Sequence, residues 1–290
     1  MKGKLSTSIP PDISLLKELT DINGPDAKSP DFNIIIKERY IFDPQSWIDR
    51  DRYWLNKAPQ GSLEWKLNRK LRLTASNFGA AIGKSWMESP HDIALDITTI
   101  PNTNKIISRN PAPVPNGSIK KHYTKSNRPK QKFDQQHGVV TESAARNWYC
   151  STRNVTVITV GLAVPKWEPR IGASLDGDIP GTDGIIEIKC PFEMYDQLKL
   201  HMRKIKSGWT PPPFYHDHIR DSHYAQMQGS MKIFGKQWCD YIVYATCSNL
   251  SYVERIPFDQ TYWDRILFPG IIDFLDNILE PIIQLRDTSP

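Results

Sequence analysis

The chain has 290 residues, 39% hydrophobic and 24% charged, which is enough to bury a sizeable core in one large domain. It contains no run of about 18 apolar residues, which excludes a membrane-spanning helix, and its first twenty residues lack a signal-peptide core. An intracellular protein of the cytoplasm or nucleus is therefore expected, not a secreted one.

The net charge of +5 has a local origin. Residues 101–133 carry eight Lys/Arg and no acid, and the rest of the chain has 29 basic against 32 acidic residues, or −3. Such a segment suits a polyanion such as DNA or, equally, a solvated insertion. Cys150, Cys190, Cys239 and Cys247 stand singly, without a C-x-x-C pair. They read as buried small apolar residues in a reducing compartment, not as zinc or iron–sulfur ligands.

Residues 1–32 read as an irregular leader with a short helix at Ile13–Thr20, and IIIKERYIF from Ile34 reads as a strand. Leu63–Lys70 is predicted helical, and Thr74 offers an N-cap to a second helix through Ile82, stopped at Gly83. The Pro-, Asn-, Ser- and Lys-rich stretch 101–133 is predicted to be a long mobile loop, after which Asp134 caps a helix running to about Cys150. The β-branched run at 155–164 predicts a strand. RIGASLDGDI, the turn GTDG (181–184) and IIEIKC (185–190) predict a hairpin. A basic helix over Tyr195–Ile205 precedes the Pro-Pro-Pro break at 211–213, and a helix over His223–Phe234 ends at Gly235. Asp240–Thr246 predicts another strand, and Pro269–Arg286 an amphipathic helix. This order implies an α/β sheet sandwiched by helices.

Side chains alternate across a strand, so Glu187 and Lys189 share one face while Ile186 and Ile188 enter an apolar layer behind. Hairpin pairing can bring Asp176 opposite Glu187. Two carboxylates about 4 Å apart repel by roughly 4 kcal/mol at an effective dielectric near 20, and Glu142 would add to the repulsion. Oxygen-only ligands of this kind select Mg²⁺ or Mn²⁺. A lysine beside them can hold the attacking water or stabilise phosphate charge, so the parts describe phosphodiester hydrolysis. The acid-x-Lys triplet alone is weak, because Asp26-Ala27-Lys28 and Glu64-Trp65-Lys66 share it. Gly138, Glu142, Ala145 and Tyr149 fall on one helix face, and the glycine is expected to let the helix approach the sheet closely. The start of the Thr74 helix offers free N–H groups to a phosphate. His216-Asp217-His218 with His223 reads as a solvated group, not a zinc site.

From about Leu63 to Gln284 the residues resemble the lambda-exonuclease-type (YqaJ-like) viral recombinases of the PD-(D/E)XK nuclease superfamily. The resemblance is carried by Trp65, Arg69 and Thr74-Ala75-Ser76, by Gly138-x-x-x-Glu142, and by Gly172–Gly177 ending in Ser174-Leu175-Asp176-Gly177. It continues through Gly184–Pro191 with Glu187-Ile188-Lys189-Cys190-Pro191 and ends in Tyr224–Gln228 with Gln226. It implies a PD-(D/E)XK core with a central mixed sheet flanked by helices. A leader at 1–55 would precede a nuclease domain at 56–290 carrying the insertion at 101–133.

Asp176, Glu187 and the Ile188 carbonyl are implied metal ligands, with Glu142 binding directly or through water. Lys189 is implied to activate water, Gln226 to orient it or the phosphate, and Arg69, Thr74 and Ser76 to hold DNA phosphate. The implied cofactor is Mg²⁺, or Mn²⁺, as two ions. The implied activity is exonuclease action on duplex DNA ends, 5′ to 3′, in recombination, repair or viral genome processing. A single-strand annealing partner and a homo-oligomer are implied as well. An endonuclease of the same superfamily, or a non-catalytic DNA-binding protein, would keep the same fold. One position departs from the pattern: Leu175 stands where the family has proline, which threatens the stiffness of the bend at Asp176.

Overall fold

The computed structural model describes residues 45–70, 72–99, 129–246 and 250–287. The predicted elements at Ile13–Thr20 and from Ile34, and residues 101–128 of the basic segment, lie outside these. None of the described helices is long and apolar enough to cross a membrane.

Two short strands, β1 (Trp47–Asp49) and β2 (Tyr53–Asn56), open the described chain. Helix α1 (Leu63–Arg69) starts where the Ser62 side chain accepts the Trp65 N–H at 3.2 Å. Strand β3 (Leu73–Thr74) leads into a single 3₁₀ turn (Ala75–Asn77) and the short α2 (Phe78–Ala81). Helix α3 (Pro90–Thr98) is set by a capping box between Ser89 and Asp92 and by Pro90 in its first turn. Helix α4 (Pro129–Arg153) is longer than expected. It begins at Pro129, so Asp134 is internal and the last part of the supposed loop is helical.

The β-branched run at 155–164 does not form a continuous strand. Ile158 makes one bridge to Asp178, and only Ala163–Pro165 (β4) pairs regularly, antiparallel to β2. Strands β1, β2 and β4 make a three-stranded sheet, so a division after residue 55 falls within β2. Ile171–Gly172 (β5) pairs in parallel with β3, not within the hairpin.

The main sheet has the order β6-β7-β8-β9, built from β6 (Gly177–Asp178), β7 (Gly184–Lys189), β8 (Trp238–Ala245) and β9 (Leu250–Pro257). The β7–β8 pair is parallel and the two outer pairs are antiparallel. Between β7 and β8 run α5 (Asp196–Lys206) and α6 (Asp221–Phe234), the latter closed by left-handed Gly235. A last helical stretch, α7 (260–287), contains two π-wound turns at Trp263–Leu267 and Leu275–Leu279. Pro269 and Pro281 lack the N–H that would close an α-ladder back onto these turns, which accounts for the local rewinding.

The periodicity of β7 sorts its side chains into two layers. Ile185 joins Tyr241, Val243, α6 and α7 in the larger core, while Ile186 and Ile188 pack with Ala145 and Tyr149 of α4 behind the sheet. The mixed sheet is therefore covered on both faces by helices, as the α/β reading requires.

Candidate active site

The site forms where the sheet runs out. Strand β6 is two residues long and pairs only with Ile185 and Ile186 of β7. Beyond it Glu187, Ile188 and Lys189 still pair with β8 on one side but face an open edge on the other. Asp176 occupies that edge, and its Oδ2 accepts the Ile188 N–H at 2.7 Å. N–H and C=O of one strand residue leave on the same edge, so the Ile188 carbonyl also faces the Asp176 side. Glu187 and Lys189 project from one face, and Glu142 approaches from α4 on the other. Gly177 beside Asp176 is forced by packing, since a Cβ there would overlap Val157 and Ile186.

Glu187 is 3% exposed, and the Lys189 Nζ lies 2.6 Å from its Oε1. That oxygen has a charge beside it but no well-aligned hydrogen bond. Burial first, and then the nearby Asp176 carboxylate, pushes the Glu187 carboxyl up to about 8. Asp176 is also raised by burial, against the pull of Lys189 and of the Ile188 N–H. For Lys189 burial works against the charge, but Glu187 and Asp176 outweigh it and the ammonium is raised. Its Nζ donates to Gln226 Oε1 at 2.9 Å, which fixes the end of the side chain from α6.

Glu142 is half-buried, and Arg146 one turn on holds its Oε1 at 2.5 Å. Burial and Asp176 raise its carboxyl, while Arg146 opposes the rise. With Arg146 engaged, Glu142, Asp176 and Glu187 do not close a cluster as tight as 4.8 Å. Gly138 is not needed for close approach, because a Cβ there would sit 4.0 Å from the Cys190 carbonyl, an ordinary contact. Arg146 went unnoticed in the sequence; its i, i+4 spacing from Glu142 was the available signal.

Arg146 belongs to a brace around the Asp176 bend. Its Nε donates to the Asp176 carbonyl at 2.9 Å, Gln60 Nε2 donates to the Leu175 carbonyl at 2.7 Å, and the Trp65 indole donates to Ser174 Oγ at 2.9 Å. Leu175 itself is 1% exposed in the main core. Three successive residues are thus held from outside, where a proline would have stiffened the bend from within.

Next to Ser174, Arg69 stacks on the Trp65 ring at 4.4 Å and donates to Thr74 Oγ1 at 3.0 Å and Ser76 Oγ at 3.2 Å. Burial lowers the guanidinium to about 10. Thr74 does not cap the following helix with its side chain, which is turned to Arg69 instead. The seven helical residues after it split into 3₁₀ and α turns, too short to offer a strong dipole. The predicted residues therefore meet as two groups, Asp176–Glu187–Lys189–Gln226 with Glu142 at its rim, and Arg69–Thr74–Ser76, joined through Trp65 and Ser174.

The histidines are not solvated. His218 is buried, His216 stacks on Tyr224, and His223 Nδ1 lies 2.9 Å from the Tyr241 hydroxyl. Burial, Lys189 and Arg220 hold His223 well below the usual histidine range, so it is neutral. Of the cysteines, Cys190 and Cys239 are buried and Cys150 partly so, all as free thiols.

The donor set fits a hard divalent cation. Its donor atoms are oxygens only, its acids repel one another, and the buried Glu187 Oε1, although beside the Lys189 charge, has no well-aligned hydrogen bond and so keeps a lone pair for such an ion.

Residues 64–237 match the YqaJ-like viral recombinase domain. The alkaline exonuclease LHK-Exo from Laribacter hongkongensis superposes with a TM-score of 0.50 at 24% identity, over 78% of this chain and 96% of that one. LHK-Exo in complex with dAMP gives 0.51 at the same identity and coverage. A phage related exonuclease from Haemophilus somnus 129PT gives 0.42 at 14% identity, over 75% and 96%. No curated protein matches the sequence. The fold is the α/β PD-(D/E)XK core, a mixed sheet flanked by helices.

Proposed function

Since the chain belongs to the YqaJ-like viral recombinase domain family, we propose that it is a Mg²⁺-dependent deoxyribonuclease that degrades duplex DNA from its ends, 5′ to 3′, in recombination, repair or viral genome processing. The observation that carries this reading is the meeting of Asp176, Glu187, Lys189 and Gln226 at the open edge of β7. LHK-Exo, which shares the fold, is an alkaline exonuclease solved with dAMP, and that agrees with it.

Asp176, Glu187 and the Ile188 carbonyl would hold Mg²⁺, or Mn²⁺, with Glu142 joining directly or through water; the family resemblance implies two ions. The cation supplies positive charge to the scissile phosphate. Lys189, whose Nζ lies between Glu187 and Gln226, activates the attacking water by holding it with a hydrogen bond from its ammonium, whose charge favours loss of the water's proton to solvent. Gln226 orients that water or the phosphate through its amide. Arg69 with the Thr74 and Ser76 hydroxyls grips a backbone phosphate, the guanidinium being pre-aligned by its stack on Trp65.

The test is degradation of linear and covalently closed duplex DNA, with and without Mg²⁺, by wild type and Lys189→Ala. Mg²⁺-dependent loss of the linear form alone, abolished in the variant, supports an end-dependent exonuclease, and label placed at either end reads its polarity. Cutting of the closed circle would make it an endonuclease. If neither substrate is touched, the catalytic reading fails and DNA binding without cleavage becomes the leading account.

A further inference from the structure

A second cluster lies apart from the acidic centre. His201 on α5, His218 in the 207–220 connection and Glu254 on β9 bring three ligand atoms within 4.8 Å of one another. The Nε2 atoms of His218 and His201 lie 2.7 Å and 3.5 Å from the same Glu254 oxygen. Both imidazoles are almost completely buried, at 2% and 3% exposure, and stack at 3.5 Å between centroids. Trp209, Tyr215 and Tyr252 enclose them. The Tyr252 hydroxyl donates to the same oxygen of Glu254 and lies 3.5 Å from His218 Nε2. Three donors thus crowd one carboxylate oxygen.

The row Glu187–Tyr241–Glu254 crosses three adjacent strands, so the cluster stands two strands away from the catalytic acid. We propose that His201 Nε2, His218 Nε2 and a Glu254 carboxylate oxygen bind one zinc-type divalent ion that ties α5, the 207–220 connection and β9 together.

The ligand chemistry separates this site from the first. Two imidazole nitrogens and one carboxylate suit a borderline-soft tetrahedral ion, whereas the oxygen-only set around Asp176 suits Mg²⁺. Burial first, then His218, lowers the His201 imidazole, which leaves it neutral as a ligand must be. Tetrahedral bonds of about 2.0–2.1 Å place donor atoms roughly 3.3 Å apart. The His201–Glu254 separation already matches, and because rings stacked in parallel cannot both aim an in-plane lone pair at one ion, one imidazole turns out of the stack on binding. The His218–Glu254 contact opens by about 0.6 Å as the ion displaces the proton between them. Tyr252 or water completes the shell. The ion adds an anchor to a connection in which Pro211, Pro212 and Pro213 donate no N–H and Phe214 adopts a left-handed φ of 58°.

The test uses the full chain carrying Asp176→Asn, which disables the first site, stripped with a chelator and titrated with Zn²⁺ by calorimetry and with Co²⁺ by visible absorption. We expect one ion per chain, the intense visible bands of tetrahedral Co²⁺, and a Tm rise of about 5 °C at a hundredfold excess of Zn²⁺ over Kd. Mg²⁺ produces no such rise. His218→Gln or Glu254→Gln in the same background weakens Zn²⁺ binding at least tenfold, and the glutamine variants keep side-chain volume so that folding is preserved. A folded Asp176→Asn chain that takes up no Zn²⁺, or uptake that both glutamine variants leave unchanged, overturns the proposal. Because the readout is metal uptake, failure of the nuclease reading does not affect it.

Discussion

Replacing Glu187 with glutamine separates the stability of the site from its chemistry. The carboxyl is 3% exposed and raised from an unfolded value near 4.5 to about 8. The native state therefore binds more protons than the unfolded state between those values. The stability this contributes is fully present below pH 4.5 and is lost as pH rises through 8. For a single proton the loss between pH 6 and pH 9 is about 3 kcal/mol, or roughly 6 °C in Tm at this chain length. Burial and the Asp176 carboxylate are what raise Glu187, so a glutamine, which has no proton to lose there, should abolish most of the slope. The assay is thermal unfolding in chelator across that pH range, for wild type and Glu187→Gln. Wild type should lose about 6 °C and the variant less than half of that, while saturating Mg²⁺ should flatten the wild-type profile. An identical slope in both proteins would refute the electrostatic account of the site.

The same carboxyl should make Mg²⁺ compete with a proton, so the half-saturating Mg²⁺ concentration for DNA degradation falls about tenfold per pH unit from 6 to 8 and levels off above. Arg69→Lys loses the stack on Trp65 and the paired hydroxyl contacts; KM for DNA should rise about tenfold, with kcat within threefold and Tm within about 2 °C. Trp65→Phe removes the indole N–H held by Ser174, which should cost about 1 kcal/mol in stability and, by loosening the Asp176 bend, lower kcat more than it raises KM. Gly229→Ala drives a methyl into the Phe78 ring between α6 and α2, and chemical denaturation should show a loss of about 1–3 kcal/mol with m unchanged.

What could be read from the sequence was local, and what could not was the contact between distant residues. Alternation along Ile185–Cys190 was enough to place Glu187 and Lys189 on one face and the isoleucines on the other, because the strand period is a covalent property. The hairpin was legible from its turn, and α6 from its apolar spacing and the glycine after it. Strand β9 was not, since Glu254 and Arg255 interrupt its pattern and it lies at a sheet edge, where charge is tolerated and guards against pairing with other chains. The run at 155–164 misled for the opposite reason: its β-branched residues suit a strand, but only Ala163–Pro165 finds one to pair with.

The bend at Asp176 shows how far such contacts reach. Read alone, Leu175 in place of proline looks like a loss of rigidity. In the fold the bend is gripped by Gln60 from 115 residues away, by the Trp65 indole and by Arg146. A proline limits one torsion, whereas these three bonds fix the carbonyl of Leu175, the side chain of Ser174 and the carbonyl of Asp176 in turn. Geometry that one residue type would encode locally is here distributed over three partners, none of which is adjacent to the bend in sequence. Losing any one of them should therefore weaken the aim of Asp176 by degrees instead of abolishing it, as the Trp65→Phe measurement would show.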